Sequence, residues 1–177
     1  MSGLPGTGLS PSKITGAIDA QASSTVSAGL AGQLAITGNA LLENASTLSL
    51  SIAKSGVHSG QQPDLTDYSQ LSIGGAGTID GSTLALNVGS GIEGGDIFVI
   101  ILSGAPVTGT FAGLPNLTTF IIGSQEFEIN YAYNPAGGFA DTTGTDVALL
   151  AVPEPGTLVS LLGGVGMLAG LRRFCRR

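Results

Sequence analysis

The feature that most restricts the fold of this chain is the alternation of apolar and hydroxyl residues in short segments. Segment 47–52 (TLSLSI) places Leu48, Leu50 and Ile52 on one face of an extended strand, with Ser49 and Ser51 on the other. Segment 83–88 (TLALNV) alternates in the same way. No segment before the C-terminal tail has the 3.6-residue period of a helix, so the body is predicted to be all-β.

Further strands are predicted at short intervals, separated by turns rich in Gly, Ser and Asn. The continuous apolar run 97–102 (IFVIIL) is expected to be a strand buried on both faces. Segment 54–67 is a polar loop containing Pro63. The remaining predicted strands are 34–37, 68–73, 77–80, 107–111, 118–122, 126–131 and 146–151.

Sandwich, barrel and solenoid folds all fit this series of strands. The small-polar alternation and the Gly-rich turns favour a right-handed parallel β-solenoid, although the sequence has no strict repeat period. The fold class is therefore predicted as a Gly-rich β-solenoid or β-sandwich-like body followed by a single C-terminal hydrophobic helix.

Charge separates the body from the tail. Lys13 and Lys54 are the only basic residues before Arg172, against twelve acidic residues, so residues 1–171 have a formal net charge of −10 (two positive, twelve negative). Nucleic-acid binding needs a basic face, so it is excluded. The single cysteine, Cys175, permits no intrachain disulfide.

The body offers few candidates for chemistry. The only histidine, His58, lies in the polar loop near Ser55, Ser59 and Asp64, and a catalytic triad would require these groups to meet in space. A surface loop histidine is the favoured interpretation. One histidine and one cysteine also argue against a structural zinc site, because zinc usually takes four N or S ligands. No catalytic residue, metal site or cofactor is predicted.

Three weaker patterns have simpler explanations. Segment 89–94 (GSGIEG) matches GxGxxG, but a β run follows instead of the helix that dinucleotide binding needs. Asp64 with Asp67, or Asp141 with Asp146, could contact calcium, but solvated loop acids are expected. Threonines are scattered without a repeated Thr-x-Thr, which makes an ice-binding face the less favoured interpretation.

The C-terminal tail has three parts in a fixed order. Residues 156–171 are uncharged and largely apolar, long enough for a helix of about 24 Å, which is short against a hydrocarbon core of ~30 Å. Arginines at the end would hold the C-terminus inside. Because proline cannot continue a helix, the Pro-Glu-Pro tripeptide is expected to be extended at the outer interface.

This order resembles the PEP-CTERM sorting signal of Gram-negative bacteria, which an exosortase, a membrane cysteine protease, is thought to process. The resemblance implies a sorting motif (Val152, Pro153, Glu154, Pro155) and a transient transmembrane helix (Gly156, Leu158, Leu161, Leu162, Val165, Met167, Leu168, Leu171). It also implies a basic stop-transfer end (Arg172, Arg173, Arg176, Arg177).

A second resemblance covers residues 32–150, which look like the final turns of autotransporter-type β-helix passengers and their PEP-tailed relatives. It rests on the phrases 71–77 (LSIGGAG), 95–100 (GDIFVI), 109–115 (GTFAGLP), 127–131 (FEINY) and 144–149 (GTDVAL). It implies a fold and a location at the cell surface rather than an activity.

Three segments follow: a poorly structured N-terminal segment (1–31), a β-rich extracellular body (32–151) and the sorting signal (152–177). The first 16 residues lack the features of a secretory signal peptide, so the chain is expected to be truncated at its N-terminus. The expected function is that of an exported, non-catalytic surface or matrix protein, with a module for carbohydrate, calcium or ice as the alternative. Its expected partners are exosortase, the inner membrane transiently, and extracellular polysaccharide.

Overall fold

The computed structural model describes residues 12–153, and these form an all-β body with one short 3₁₀ turn, Gly56–His58. The strands are β1 Ser12–Ile14, β2 Ile18–Ala20, β3 Thr25–Ser27, β4 Gly32–Ile36, β5 Ala40–Leu42, β6 Thr47–Ile52, β7 Ser69–Ile73, β8 Gly77–Asp80, β9 Thr83–Val88, β10 Ile97–Ser103, β11 Thr108–Thr110, β12 Thr119–Ile122, β13 Gln125–Tyr133 and β14 Asp146–Val152.

The strands form three sheets. Among β1 to β11, each strand pairs with the strand three positions later in the chain. The sheet orders are β1-β4-β7-β10-β14-β13-β12, then β11-β8-β5-β2, then β3-β6-β9. All pairs among β1 to β11 are parallel. β14 pairs antiparallel with both β10 and β13, so the first sheet ends in an antiparallel unit.

Aliphatic side chains stack in register across these parallel pairs. Leu34 aligns with Leu71 and Leu71 with Ile101 in the first sheet, while Leu42 aligns with Ile79 in the second. All five are buried. Burying each such side chain contributes roughly 1.5–3 kcal/mol relative to leaving it exposed, so these columns form the core of the body.

The alternation in β6 has the predicted consequence. Leu48, Leu50 and Ile52 are buried, and the residues between them are half-buried. The other predicted strands are all present, several with ends shifted by one or two residues. The three-residue strands β1, β2, β3 and β5 were not predicted, because three residues are too few for a visible period.

The prediction that β10 is buried on both faces is wrong. Phe98 and Ile100 are buried, but the register against β14 shifts between Val99 and Ile101, so that Ile101 is buried as well and Leu102 is 41% exposed. An extra residue at such a bulge reverses which side chains face the core. Within this apolar run, the alternation of buried side chains therefore shifts by one residue.

The expectation of a poorly structured segment over residues 1–31 needs correction for its described part. Strands β1, β2 and β3 lie between Ser12 and Ser27 and pair with β4, β5 and β6. These three strands are mostly exposed, which explains why their sequences lack strong apolar alternation.

Glycine permits close stacking at one corner of the body. Gly38 donates its amide hydrogen to the carbonyl of Gly16 at 2.9 Å, and a Cβ at Gly38 would lie 2.8 Å from the backbone nitrogen of Ala17. Only glycine avoids this contact without movement of the backbone. Part of the high glycine content is thus a packing requirement.

Candidate functional site: the 53–68 loop and the 89–96 turn

Polar side chains concentrate where a long loop meets a turn. The 53–68 loop joins β6 to β7, and the 89–96 turn joins β9 to β10. Within residues 12–153, the ion pairs of Lys54 with two carboxylates and the contacts of His58 with two others all lie here. The predicted polar loop is therefore the most ionic part of the described chain.

Lys54 is buried between two carboxylates from the turn. Its side chain is 1% exposed, and its Nζ lies 2.7 Å from both Oε2 of Glu93 and Oδ1 of Asp96. Burial alone lowers the pKa of Lys54, but hydrogen bonds and charges from Asp96 and Glu93 more than offset this and raise it above its ordinary value. The ammonium is therefore a charged cross-link and not a nucleophilic amine.

Glu93 also holds the far side of the loop. Its Oε1 accepts a hydrogen bond from the Ser59 hydroxyl at 2.9 Å, and its Oε2 accepts one from the Gly60 amide at 3.0 Å. Hydrogen bonds from Lys54, from Gly60 and from Ser59 lower the pKa of Glu93 to about 2. The Gln62 side chain adds bonds to the Gly95 carbonyl and the Ile97 amide, so the loop is fixed on the turn.

His58 lies between two further carboxylates of the same loop. Its Nδ1 is 2.6 Å from Oδ2 of Asp67, and its Nε2 is 3.5 Å from Oδ2 of Asp64. The His58 side chain is 21% exposed, so it is less accessible than the predicted surface histidine. These three residues are the only group of three or more potential metal ligands found within residues 12–153.

Asp67 was expected to be a solvated loop acid, and this is wrong because its side chain is fully buried. Burial alone raises the pKa of Asp67, but hydrogen bonds from the amides of Ser55 and Asp64, and from His58, lower it below its ordinary value. Asp146, also expected to be solvated, is buried and accepts the Ser103 amide at 2.9 Å. Both acids thus satisfy backbone donors.

The geometry around His58 does not match that of a catalytic triad. The Ser55 hydroxyl is 3.3 Å from Nδ1, the same nitrogen that contacts Asp67. A triad needs the hydroxyl on one ring nitrogen and the carboxylate on the other, so that the ring can carry a proton between them. Ser59, the other candidate, donates to Glu93 instead.

The nearby cavity has a volume of about 360 Å³. It is lined by Lys54, the loop residues Gly60, Gln61 and Gln62, and the turn residues 93–96. His58 is not among its lining residues. Segment 89–94 forms a turn that leads into β10 without a helix, as the comparison with the dinucleotide fingerprint predicted.

The predicted sorting motif begins where the last strand ends. Val152 closes β14, opposite Glu126, and its carbonyl accepts a hydrogen bond from Gln125 at 3.2 Å. Pro153 follows and is exposed, and a Cβ at Gly94 would lie 2.8 Å from it. Glu154, Pro155, the predicted helix (156–171) and the arginine end (172–177) lie outside the described residues. Within residues 12–153, no helix is long and apolar enough to cross a membrane.

Comparison with known proteins gave no significant match to a protein-family model, a curated protein or a solved structure.

Sequence reasoning missed the group formed by Lys54, Glu93 and Asp96. One signal was available: Lys54 is one of two basic residues in an acidic body, and a solitary lysine among acids often has a carboxylate partner. The sequence did not indicate which of the eleven acids before residue 152 would be chosen.

Proposed function

We propose that this protein is an exported, non-catalytic surface or extracellular-matrix protein with a C-terminal PEP-CTERM signal for exosortase. The observation that carries the proposal is the order of the three tail parts: Pro153-Glu154-Pro155, the apolar segment 156–171 and the arginines from Arg172 to Arg177. A simple membrane anchor would not need the Pro-Glu-Pro tripeptide. The predicted helix would hold the protein in the inner membrane until processing releases it.

For the body we propose a parallel β-solenoid in which the three sheets are three faces. Support comes from the regular pairing of β1 to β11 with every third strand and from aligned aliphatic residues such as Leu34, Leu71 and Ile101. Stacked turns of a solenoid bury a continuous core and present long outer faces. Such faces suit many weak contacts with an extended polymer such as extracellular polysaccharide.

The absence of catalysis is supported by the ionic loop. Lys54 is held by two carboxylates, and Ser55 and Asp67 share one nitrogen of His58. These contacts hold segments of the chain together. None of them activates a nucleophile among the residues of the loop and turn that are charged or contact His58, namely Lys54, Ser55, Asp64, Asp67, Glu93 and Asp96. The strongly acidic body likewise gives no support to a nucleic-acid partner.

The test is processing in a host that contains exosortase. Glu154→Ala and deletion of residues 172–177 are expected to leave unprocessed protein in the membrane fraction, detected as a larger species on immunoblots. Glu128→Ala, a change of the same type within β13, is the control and should be processed normally. Normal processing and release of both tail variants would contradict the proposal.

One observation favours the second candidate, a ligand-binding face. Thr25, Thr47 and Thr83 align in the sheet β3-β6-β9, with Ser27 beside Ser49 in the next outward position. Thr25 and Thr83 are exposed and Thr47 is half-buried. Strands in a sheet are about 4.8 Å apart, so the hydroxyls form a regular array that could contact ice or a crystalline polysaccharide.

This candidate is tested by inhibition of ice recrystallisation and by sedimentation with insoluble polysaccharides. Thr47→Glu, at the centre of the column, should abolish either activity, whereas Thr119→Glu on β12 should not. Activity that persists in Thr47→Glu would exclude this face, and loss of activity would leave the sorting proposal unaffected because the tail is unchanged.

A further inference from the structure

The two ring nitrogens of His58 have different environments. Nδ1 is 2.6 Å from the buried carboxylate of Asp67, which also accepts the amides of Ser55 and Asp64. An ionised carboxylate only accepts hydrogen bonds, so Nδ1 must carry a hydrogen. Nε2 is therefore the nitrogen that can act as a ligand when the ring is neutral.

Within residues 12–153, one oxygen of Asp64 accepts no hydrogen bond and lies near that nitrogen. Its Oδ1 accepts both the amide and the hydroxyl of Thr66, at 2.7 and 2.6 Å, which fixes the carboxylate. Its Oδ2 lies 3.5 Å from Nε2 of His58. This separation exceeds that of a normal hydrogen bond, about 2.7–3.2 Å, and a neutral ring would place the Nε2 lone pair near a negative oxygen with no proton between them.

The separation suits a metal ion between the two atoms. Nitrogen and oxygen ligands each about 2.1 Å from zinc, at a tetrahedral angle, lie about 3.4 Å apart. The Asp64 side chain is 56% exposed, so an ion could enter from solvent with water as its remaining ligands. A carboxylate on the far nitrogen, as Asp67 provides, is the usual way to orient a histidine ligand.

We propose that His58 Nε2 and Asp64 Oδ2 bind a divalent transition-metal ion of the zinc type, with Asp67 as the positioning residue. The loop that carries them is already fastened to the 89–96 turn through Ser59, Gly60 and Gln62. Binding therefore requires no ordering of the loop. The site goes beyond the sorting and matrix role, and its proposed residues all lie within 12–153.

A second turn in the chain provides a matched comparison. Asp141 accepts the amide and hydroxyl of Thr143 at 2.8 and 2.6 Å, in the same arrangement as Asp64 with Thr66. Its Oδ2 faces the side-chain amide of Asn134 at 3.2 Å, which is a hydrogen-bond donor. The turn itself therefore does not create the site; the imidazole nitrogen opposite Oδ2 distinguishes Asp64.

The test uses the whole 177-residue chain in mild detergent, with Cys175→Ser to remove the only thiol. Zinc chloride is titrated while ¹⁵N NMR records the imidazole of His58. We expect Nε2 to shift and Nδ1 to stay protonated. Asp64→Asn should weaken binding at least about tenfold, and Asp67→Asn by about 10–100-fold. Asp141→Asn should bind zinc with unchanged affinity.

The exposed position of Asp64 keeps the test valid even if Asp67→Asn fails to fold. No zinc-dependent shift at Nε2 would overturn the proposal, as would equal zinc affinities for Asp64→Asn and Asp141→Asn. Excess calcium should leave the Nε2 resonance unchanged, because calcium prefers oxygen ligands. A calcium response as large as that to zinc would overturn the assignment to a transition metal.

Discussion

Lys54 Nζ and Asp96 Oδ1 lie 2.7 Å apart although 42 residues separate them in sequence, and their side chains are only 1% and 4% exposed. The pair joins the end of β6 to the start of β10, which belong to different sheets. Glu93 completes the group from a more exposed position. Desolvation of the buried charges is offset only while all partners are present.

Removing the lysine should therefore destabilise the body strongly. Lys54→Ala leaves Asp96 buried without its cation, and we expect a loss of about 3–5 kcal/mol in the free energy of unfolding. Urea denaturation followed by circular dichroism measures this loss. Lys13→Ala, at an exposed position of β1, should change stability by less than about 0.5 kcal/mol. Equal effects would contradict the importance of the buried pair.

Stability should also depend on pH through Glu93. Its pKa falls to about 2 in the folded protein from an ordinary value of 4.5, so the folded state favours the charged form. This contribution is present above about pH 4.5 and disappears as the pH falls towards 2. Glu93→Gln should flatten this part of the stability curve, measured by urea denaturation between pH 2 and 6. The carboxylate of Glu126 forms no ion pair within residues 12–153. Glu126→Gln should therefore leave this pH dependence of stability unchanged.

Gly91 should tolerate no side chain. It has φ of +84°, and a Cβ there would lie 2.1 Å from the carbonyl oxygen of Lys54. Gly91→Ala should cost more than about 1 kcal/mol, measured by thermal or urea unfolding. Gly95→Ala is the control, because Gly95 has a similar φ of +98° but open space around its Cβ. If both variants lose the same stability, backbone conformation and not close contact is responsible.

Two buried serines should be replaceable by alanine. The hydroxyls of Ser46 and Ser82 have no hydrogen-bond partner within residues 12–153, and an unsatisfied buried polar group costs free energy. Ser46→Ala and Ser82→Ala should leave the free energy of unfolding unchanged or raise it.

Ser69→Ala is the contrasting variant for these serines. The Ser69 hydroxyl is equally buried but accepts the Ser51 amide at 2.7 Å, so its removal should cost about 1–3 kcal/mol. Destabilisation of similar size in all three variants, measured by urea denaturation, would show that the hydroxyls of Ser46 and Ser82 have partners in solution.

Local patterns predicted local structure well in this chain. The period of two in 47–52 identified the buried face of β6, because alternation is a property of a single strand. The same reasoning failed at Leu102, because the bulge that exposes it arises from pairing between β10 and β14. The apolar run of one strand does not show in which register a neighbouring strand will pair with it.

The candidate site was less accessible to sequence reasoning. The loop and its histidine were identified, but Asp67 was expected in solvent and Glu93 and Asp96 were not singled out. The threonine column of Thr25, Thr47 and Thr83 was missed for a related reason, since loops of unequal length separate the strands that carry it. Residues that align across strands are separated in sequence by these loops. Because the loop lengths differ, the aligned residues do not recur at a fixed interval.

The sequence by itself determined the all-β class, most strand positions, the acidic body and the tail motif on which the sorting proposal rests, because each depends on residues close together in the chain. Only the tertiary structure decided that Lys54 meets Asp96, that Asp67 is buried, and that His58 directs one nitrogen at Asp64. These contacts arise where the 53–68 loop folds back within itself and onto a turn 33 to 42 residues later. Burial then decides which charges must be paired.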